Sequence, residues 1–287
     1  MSRLTAAFER AQRLPEAPTE VGPAAVPWAL DHAAAQPQAE PPARRDPPAR
    51  LSFDASIEDR IAVGEHADGM LVEQYRRLAA VLHHAGQQQN LRSVMIASAV
   101  PSEGKTLTAT NLALTLSQSY ERRVLLIDAD LRRPSIHQIF RLPNHTGLGD
   151  CLRATVSVPP VRTVSPTLRI LTAGQPTADP MSALVSGNMR QLLADAVQQF
   201  DFVIIDTPPV GLLPDANLLS NMVDGVLMVV SAGSTPYPAV RRAVDALGAA
   251  HVLGVVFNRV AKDTMAHAYG SYGYYYGKER STDAPAR

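Results

Sequence analysis

Apolar residues fall along this chain in short blocks. Runs at 93–98, 123–128, 168–172, 202–206, 225–231 and 252–257 are rich in Val, Ile and Leu. Most are apolar at consecutive positions, as strands covered on both faces should be. Between them, segments near 105–118, 187–199 and 236–249 read as helices, and Leu71, Tyr75, Leu78 and Leu82 predict a helix ending near His84. Strands and helices in alternation predict an α/β fold, a doubly wound and mostly parallel sheet with right-handed crossovers. Such sheets bind ligands at the carboxyl ends of their strands.

The two ends of the chain follow other rules. Nine of the 23 prolines lie within residues 1–50, a density that removes backbone donors and blocks helix formation. Residues 1–55 are therefore expected to be a largely disordered arm, in which Leu4, Phe8, Ala11 and Leu14 allow one short amphipathic helix over 3–14. Residues 56–265 form the globular domain. Residues 266–287 read as a flexible tail that concentrates five of the eight tyrosines, Tyr269, Tyr272, Tyr274, Tyr275 and Tyr276. Glycines and charged residues flank them, so no periodicity aims the rings at a core. The tail reads as phenolic hydroxyls presented outward, either a sticky end or a phosphoryl acceptor.

Composition narrows the function classes. Lys+Arg and Asp+Glu balance at 27 each, so global charge favours neither nucleic acid nor an anionic membrane. No run of 18 apolar residues occurs and Met1-Ser2-Arg3-Leu4 does not lead into a signal-peptide core, so a soluble, cytoplasmic chain is expected. The one cysteine, Cys151, cannot form an internal disulfide. His83 and His84 are adjacent rather than four apart and read as a solvated helix end, not metal ligands. Trp28 stands alone in the Pro-rich arm.

Three motifs sit at predicted strand ends. Ala99-Val100-Pro101-Ser102-Glu103-Gly104-Lys105-Thr106 follows one strand and opens the helix Leu107–Ser117. This is a phosphate-binding P-loop with Ala in place of the first Gly. Its backbone N–H groups would cradle phosphate oxygens, Lys105 would reach the terminal phosphates, and the Thr106 hydroxyl would sit on Mg2+. Asp128 and Asp130 end the next strand at i and i+2, a spacing that points both carboxylates into one site. One would organise the metal and the other take a proton from the nucleophile, and the spacing does not assign which. Asp206, before Thr207-Pro208-Pro209, ends a third buried strand and is placed as a further metal carboxylate.

With these residues the chain resembles the bacterial tyrosine autokinases of exopolysaccharide and capsule synthesis, over about residues 68–276. The similarity includes Asp128-Ala129-Asp130-Leu131-Arg132-Arg133-Pro134, Asp206-Thr207-Pro208-Pro209, Leu171-Thr172-Ala173-Gly174, Pro214-Asp215-Ala216, Gly254-Val255-Val256-Phe257-Asn258 and the tyrosine tail. It implies a P-loop NTPase fold of the MinD/ParA kind. It implies an ATP- and Mg2+-dependent kinase that phosphorylates its own tail, mainly between neighbouring subunits. Residues 99 and 102–107 (Ala99, then Ser102 to Leu107) and Asn258 would bind nucleotide, Asn258 at a position that contacts adenine. A membrane polysaccharide co-polymerase is implied as activator, a protein-tyrosine phosphatase as its counterpart, and recruitment to the inner face of the plasma membrane follows. The Pro-rich arm is also reminiscent of autokinases from exosortase-type loci.

The family's helix motif Glu-x-x-Arg-x-x-Arg, which helps form a ring of subunits, is met by Glu73 and Arg76, but its third position is Ala79. Arg77 could replace it, one residue and about 100° around the helix. Two other readings compete. A ParA/MinD-type positioning ATPase would carry a lysine five residues before Lys105, where this chain has Val100. A nucleotide-gated adaptor that transfers no phosphate is disfavoured only by the filled catalytic positions.

Overall fold

The six predicted apolar runs all become strands of one sheet. The structure is a computed structural model that describes residues 53–64, 67–156, 158–177, 179–212 and 216–261. The Pro-rich arm with its expected helix at 3–14, Trp28 and the tyrosine cluster 269–276 lie outside the described residues, as do Pro214 and Asp215.

The sheet has seven strands in the order β3-β4-β2-β5-β1-β6-β7. They are β1 (Ser93–Ser98), β2 (Val124–Asp128), β3 (Arg162–Thr163), β4 (Leu168–Leu171), β5 (Phe202–Asp206), β6 (Gly225–Ser231) and β7 (Val252–Asn258). All neighbours run parallel except the two-residue β3, which pairs antiparallel with β4. Sequence reading missed β3 because two exposed residues carry no periodicity. β1, β2, β5 and β6 are buried at every position, which is why their apolar runs are unbroken.

The helices are α1 (Gly69–Gln89), α2 (Lys105–Ser119), α3 (Ile136–Ile139), α4 (Leu148–Leu152), α5 (Pro180–Leu184), α6 (Gly187–Gln199), α7 (Ala216–Ser220) and α8 (Tyr237–Leu247). They bury two separate cores, one on each face of the sheet. Alternation along a strand sends Met95 and Ala97 of β1 to the core shared with Leu193, Ala243 and Leu247. Val94 and Ile96 go to the core under α1 and α2. α2 is buried from Thr108 to Ser117, its small polar side chains included, a central helix roofed by α1.

Several expectations are corrected. α1 starts at an Asp68 cap, whose carboxylate accepts from the N–H groups of Met70 and Leu71, and runs past His84 to Gln89. The two histidines are therefore not a helix end. His83 is half-buried, with its ring 4.9 Å from that of Tyr120 and the Arg122 guanidinium 3.3 Å from Nδ1. α2 begins at Lys105, as the helical segment near 105–118 predicts, so Lys105 and Thr106 form its first turn. β7 is covered on one face only, leaving Leu253, Val255 and Phe257 exposed.

The segment before α1 is strapped to the core. Ile61 and Ala62 are buried, and Asn111 of α2 grips that backbone, accepting from the Ala62 N–H at 2.8 Å and donating to the Arg60 carbonyl at 2.8 Å. Phe53 packs on Phe140 with ring centroids 5.6 Å apart.

Candidate nucleotide site

β1, β2 and β5 are adjacent and parallel, so their carboxyl ends bring the loop 99–106, Asp128 and Asp206 to one edge of the sheet. Asp128 and Asp206 are directly opposite each other in the ladder. Asp130 follows β2 by two residues and is half-buried.

The loop that joins β1 to α2 holds two left-handed residues, Ser102 at φ +64° and Gly104 at φ +91°. Gly104 is there of necessity: a Cβ on it would lie 1.9 Å from Asn258 Nδ2. Lys105, nearly buried, directs its ammonium inward to within 3.4 Å of Asp206 Oδ1. Asp206 is fully buried, and its carboxylate is met by the Lys105 ammonium at Oδ1 and by the Thr106 hydroxyl. Burial pushes its pKa up, and the Lys105 charge opposes that rise. A buried carboxylate held only by Lys105 and Thr106 of the phosphate loop is the oxygen donor that a hard cation requires, and Thr106 brings its hydroxyl to the same place. Among the described residues no group of three or more His, Cys, Asp or Glu forms an all-protein metal cage. That fits an ion held partly by phosphate oxygens.

Asp128 differs from its neighbour. Its Oδ2 accepts from the N–H groups of Ser135 and Ile136 at 3.0 Å each, and its Oδ1 accepts from the Asp130 N–H at 3.3 Å. It thus anchors the turn into α3 as well as facing the site. Desolvation first, then the Asp206 charge, pushes its pKa up to about 8, against the pull of the Ile136 and Ser135 N–H groups. Asp130 Oδ1 accepts from the Arg133 N–H at 3.0 Å.

Of the residues expected to bind nucleotide, Ser102 is exposed at the crown of the loop, while Ala99 and Glu103 are buried. The Glu103 carboxylate turns away from the loop mouth, accepting from the Val100 N–H at 2.8 Å, the Ser231 N–H at 3.2 Å and the Thr235 hydroxyl. Asn258 turns toward the loop and donates to the Glu103 carbonyl at 2.9 Å. Thr235 and Ser231 had not been foreseen. A hydroxyl 132 residues from its partner leaves no signal in spacing.

The assembly residues sit on the outer side of α1. Arg76 and Arg77 are exposed, and Arg77 pairs with Glu73 at 3.0 Å, one helical turn away. Ala79 is completely buried among the residues under α1. A long cation has no room at that position, whereas Arg77 shares the outer face with Glu73. Cys151 is half-buried and burial pushes its thiol up to about 11, so it holds its proton at neutral pH. No helix among the described residues is long and apolar enough to cross a membrane.

Comparison with known proteins places this geometry. A family model described as ParA: NUBPL iron-transfer P-loop NTPase matches residues 90–282. Tyrosine-protein kinase YwqD of Bacillus subtilis (strain 168) is 38% identical over 211 residues, 72% of this chain and 87% of YwqD. Among solved structures, the chimerical protein CapA2B2 is 30% identical with a TM-score of 0.64, over 70% of this chain and 90% of that one. The kinase domain of the Escherichia coli tyrosine kinase ETK is 29% identical with a TM-score of 0.63, over 76% and 80%.

Proposed function

The chain belongs to the bacterial tyrosine kinases built on the ParA-type P-loop NTPase fold, and from that premise we propose that it transfers the γ-phosphoryl group of ATP to tyrosine, its own Tyr269, Tyr272, Tyr274, Tyr275 and Tyr276 foremost. The observation that carries this reading is the buried Lys105–Asp206 pair at the mouth of the loop 99–106, with the Thr106 hydroxyl on the same carboxylate. The loop N–H groups and the start of α2 hold the phosphates, and Lys105 moves from Asp206 to their terminal oxygens. Thr106, Asp206 and a carboxylate of the 128/130 pair would hold Mg2+, which neutralises charge on the phosphates. The remaining carboxylate of that pair accepts the phenol proton as the tyrosine oxygen bonds to phosphorus and ADP departs. A phenol with a pKa near 10 is protonated at neutral pH and gains from that base. The positioning-ATPase alternative finds no lysine at Val100.

The biological reading rests on the same family membership. The kinase acts in the cytoplasm in exopolysaccharide synthesis, is recruited to the inner membrane face by a co-polymerase that activates it, and is reset by a tyrosine phosphatase. Glu73 and Arg76, with Arg77 in place of the family's third motif residue, contribute to a ring in which one subunit's tail enters a neighbour's site.

The test is mass spectrometry of purified protein incubated with ATP and Mg2+, with the co-polymerase's cytoplasmic segment added. Phosphotyrosine within 269–276 is expected, and Lys105→Met should abolish it. Robust labelling of the tail in Lys105→Met would overturn the mechanism.

A further inference from the structure

An anion-binding loop has an obvious reason to avoid a carboxylate, yet this one carries Glu103 between its two left-handed residues. The side chain is buried at 2% exposure. Lys105 faces Asp206. Among the described residues no Lys or Arg lies within ion-pair distance of Glu103, so its charge is balanced by the donors Val100 N–H, Ser231 N–H and Thr235 Oγ1–H. Burial of a carboxylate is tolerated only when its oxygens are bonded in this way.

These bonds have a direction. One oxygen takes the Val100 N–H and so closes the loop on itself, three residues back. The other is fastened to the turn after β6, where Thr235 Oγ1 also accepts from the Ser231 N–H at 3.2 Å. From the opposite side Asn258, at the end of β7, holds the Glu103 carbonyl. Residue 103 is thereby gripped through both its side chain and its backbone, by two strands of the central sheet. Ser102, a non-glycine residue at φ +64°, would leave that conformation if the next residue were free, because left-handed backbone is unfavourable for it.

We infer that Glu103 is a positioning residue for phosphate binding: fastened by Ser231 and Thr235, it keeps the loop 99–106 in the strained shape that offers its N–H groups to a nucleotide before one arrives. The carboxylate never touches the ligand. Its role is to make the loop's shape a property of the sheet, so that binding need not supply the ordering. This rests on the nucleotide-binding reading above.

The test measures binding of a fluorescent ADP to the full-length protein, alongside the KM for ATP and kcat of tail phosphorylation. Thr235→Val removes the hydroxyl and keeps the shape; Thr235→Ser restores it. The valine variant should bind ADP about tenfold more weakly, in line with losing a hydrogen bond to a charged group. Its KM for ATP should rise in parallel and its kcat at saturation stay close to wild type. The serine variant should return to within about twofold of wild-type affinity. Glu103→Gln, whose single acceptor oxygen can serve Val100 or the Ser231–Thr235 side but not both, should weaken binding similarly, and the double variant should cost less than the two effects combined. Equal ADP affinity in wild type and Thr235→Val, even with a lowered melting temperature, would overturn the inference and leave Glu103 a packing residue. Failure of the wild type itself to bind ADP would overturn the nucleotide reading and this inference with it.

Discussion

Asp128 makes the stability of this protein depend on pH in a direction opposite to that of most surface carboxylates. Its folded pKa is pushed up to about 8, whereas an unfolded aspartate titrates near 3.9. Between those values the folded state holds a proton that the unfolded state has lost, so stability falls as pH rises. The contribution is complete below about pH 4 and is lost as pH climbs through about 8. One pKa unit corresponds to about 1.4 kcal/mol, so the two units from pH 6 to 8 amount to about 2.5 kcal/mol once half-titration near pH 8 is allowed for. Asp128→Asn removes this titration and keeps a carbonyl oxygen for the Ser135 and Ile136 N–H groups, giving up only the longer bond from Asp130. His83 and His137 are both pushed down by burial and slope the other way, but they are common to both proteins and cancel in the difference. Urea unfolding followed by circular dichroism at pH 6, 7, 8 and 9, without nucleotide or magnesium, measures that difference. The variant should gain about 2.5 kcal/mol on wild type between pH 6 and 8 and little beyond. A gap constant to within about 0.5 kcal/mol would show that Asp128 is ionised in the folded protein across this range and refute the reasoning.

Two more substitutions probe the loop and α1. Gly104→Ala places a methyl where Asn258 Nδ2 lies, at a φ of +91°. ADP affinity by calorimetry should fall at least about thirtyfold, roughly 2 kcal/mol, and unchanged affinity would contradict the geometry. Ala79→Arg puts a cation into a fully buried position and should cost about 3–5 kcal/mol of stability in denaturant. An undiminished melting temperature together with larger assemblies by light scattering would mean that residue 79 faces a neighbouring subunit instead.

Sequence made most of the sheet legible because parallel strands covered on both faces leave unbroken apolar runs, as 202–206 and 225–231 do. β7 was legible as a strand for the same reason, but its run does not reveal that one face is bare, since Leu253, Val255 and Phe257 are as apolar as any core strand's. The same reasoning failed only at β3, where two residues suffice for a strand if a neighbour supplies the hydrogen bonds. The loop, Lys105 and the three aspartates were legible because their spacing is local. What each aspartate does was not: Asp128 caps the turn into α3 through residues seven and eight positions on, while Asp206 faces Lys105 and Thr106 of the loop, and both look alike as a strand-terminal Asp. Ala79 likewise looked like a missing arginine. Only the packing of α1 shows that this position points inward, so the charge it lacks could not have been on the surface.

The strand order has a consequence for the acceptor. β1, β6 and β7 are successive and parallel, so the chain passes Asn258 at the same edge of the sheet as the phosphate loop, displaced by two strand spacings, about 10 Å. Tyr269 follows Asn258 by 11 residues and Tyr276 by 18 (269 − 258 and 276 − 258), tethers of at most about 40 and 65 Å when extended. A short tether rooted beside a catalytic pocket presents its substrate at an effective concentration on the order of millimolar. On the proposed function, a neighbour's tyrosine would compete with those on the chain's own short tether. On that reading, exchange between subunits would win only if assembly pointed each tether away from its own site, so the orientation of subunits, more than their number, would be the quantity for an activator to control.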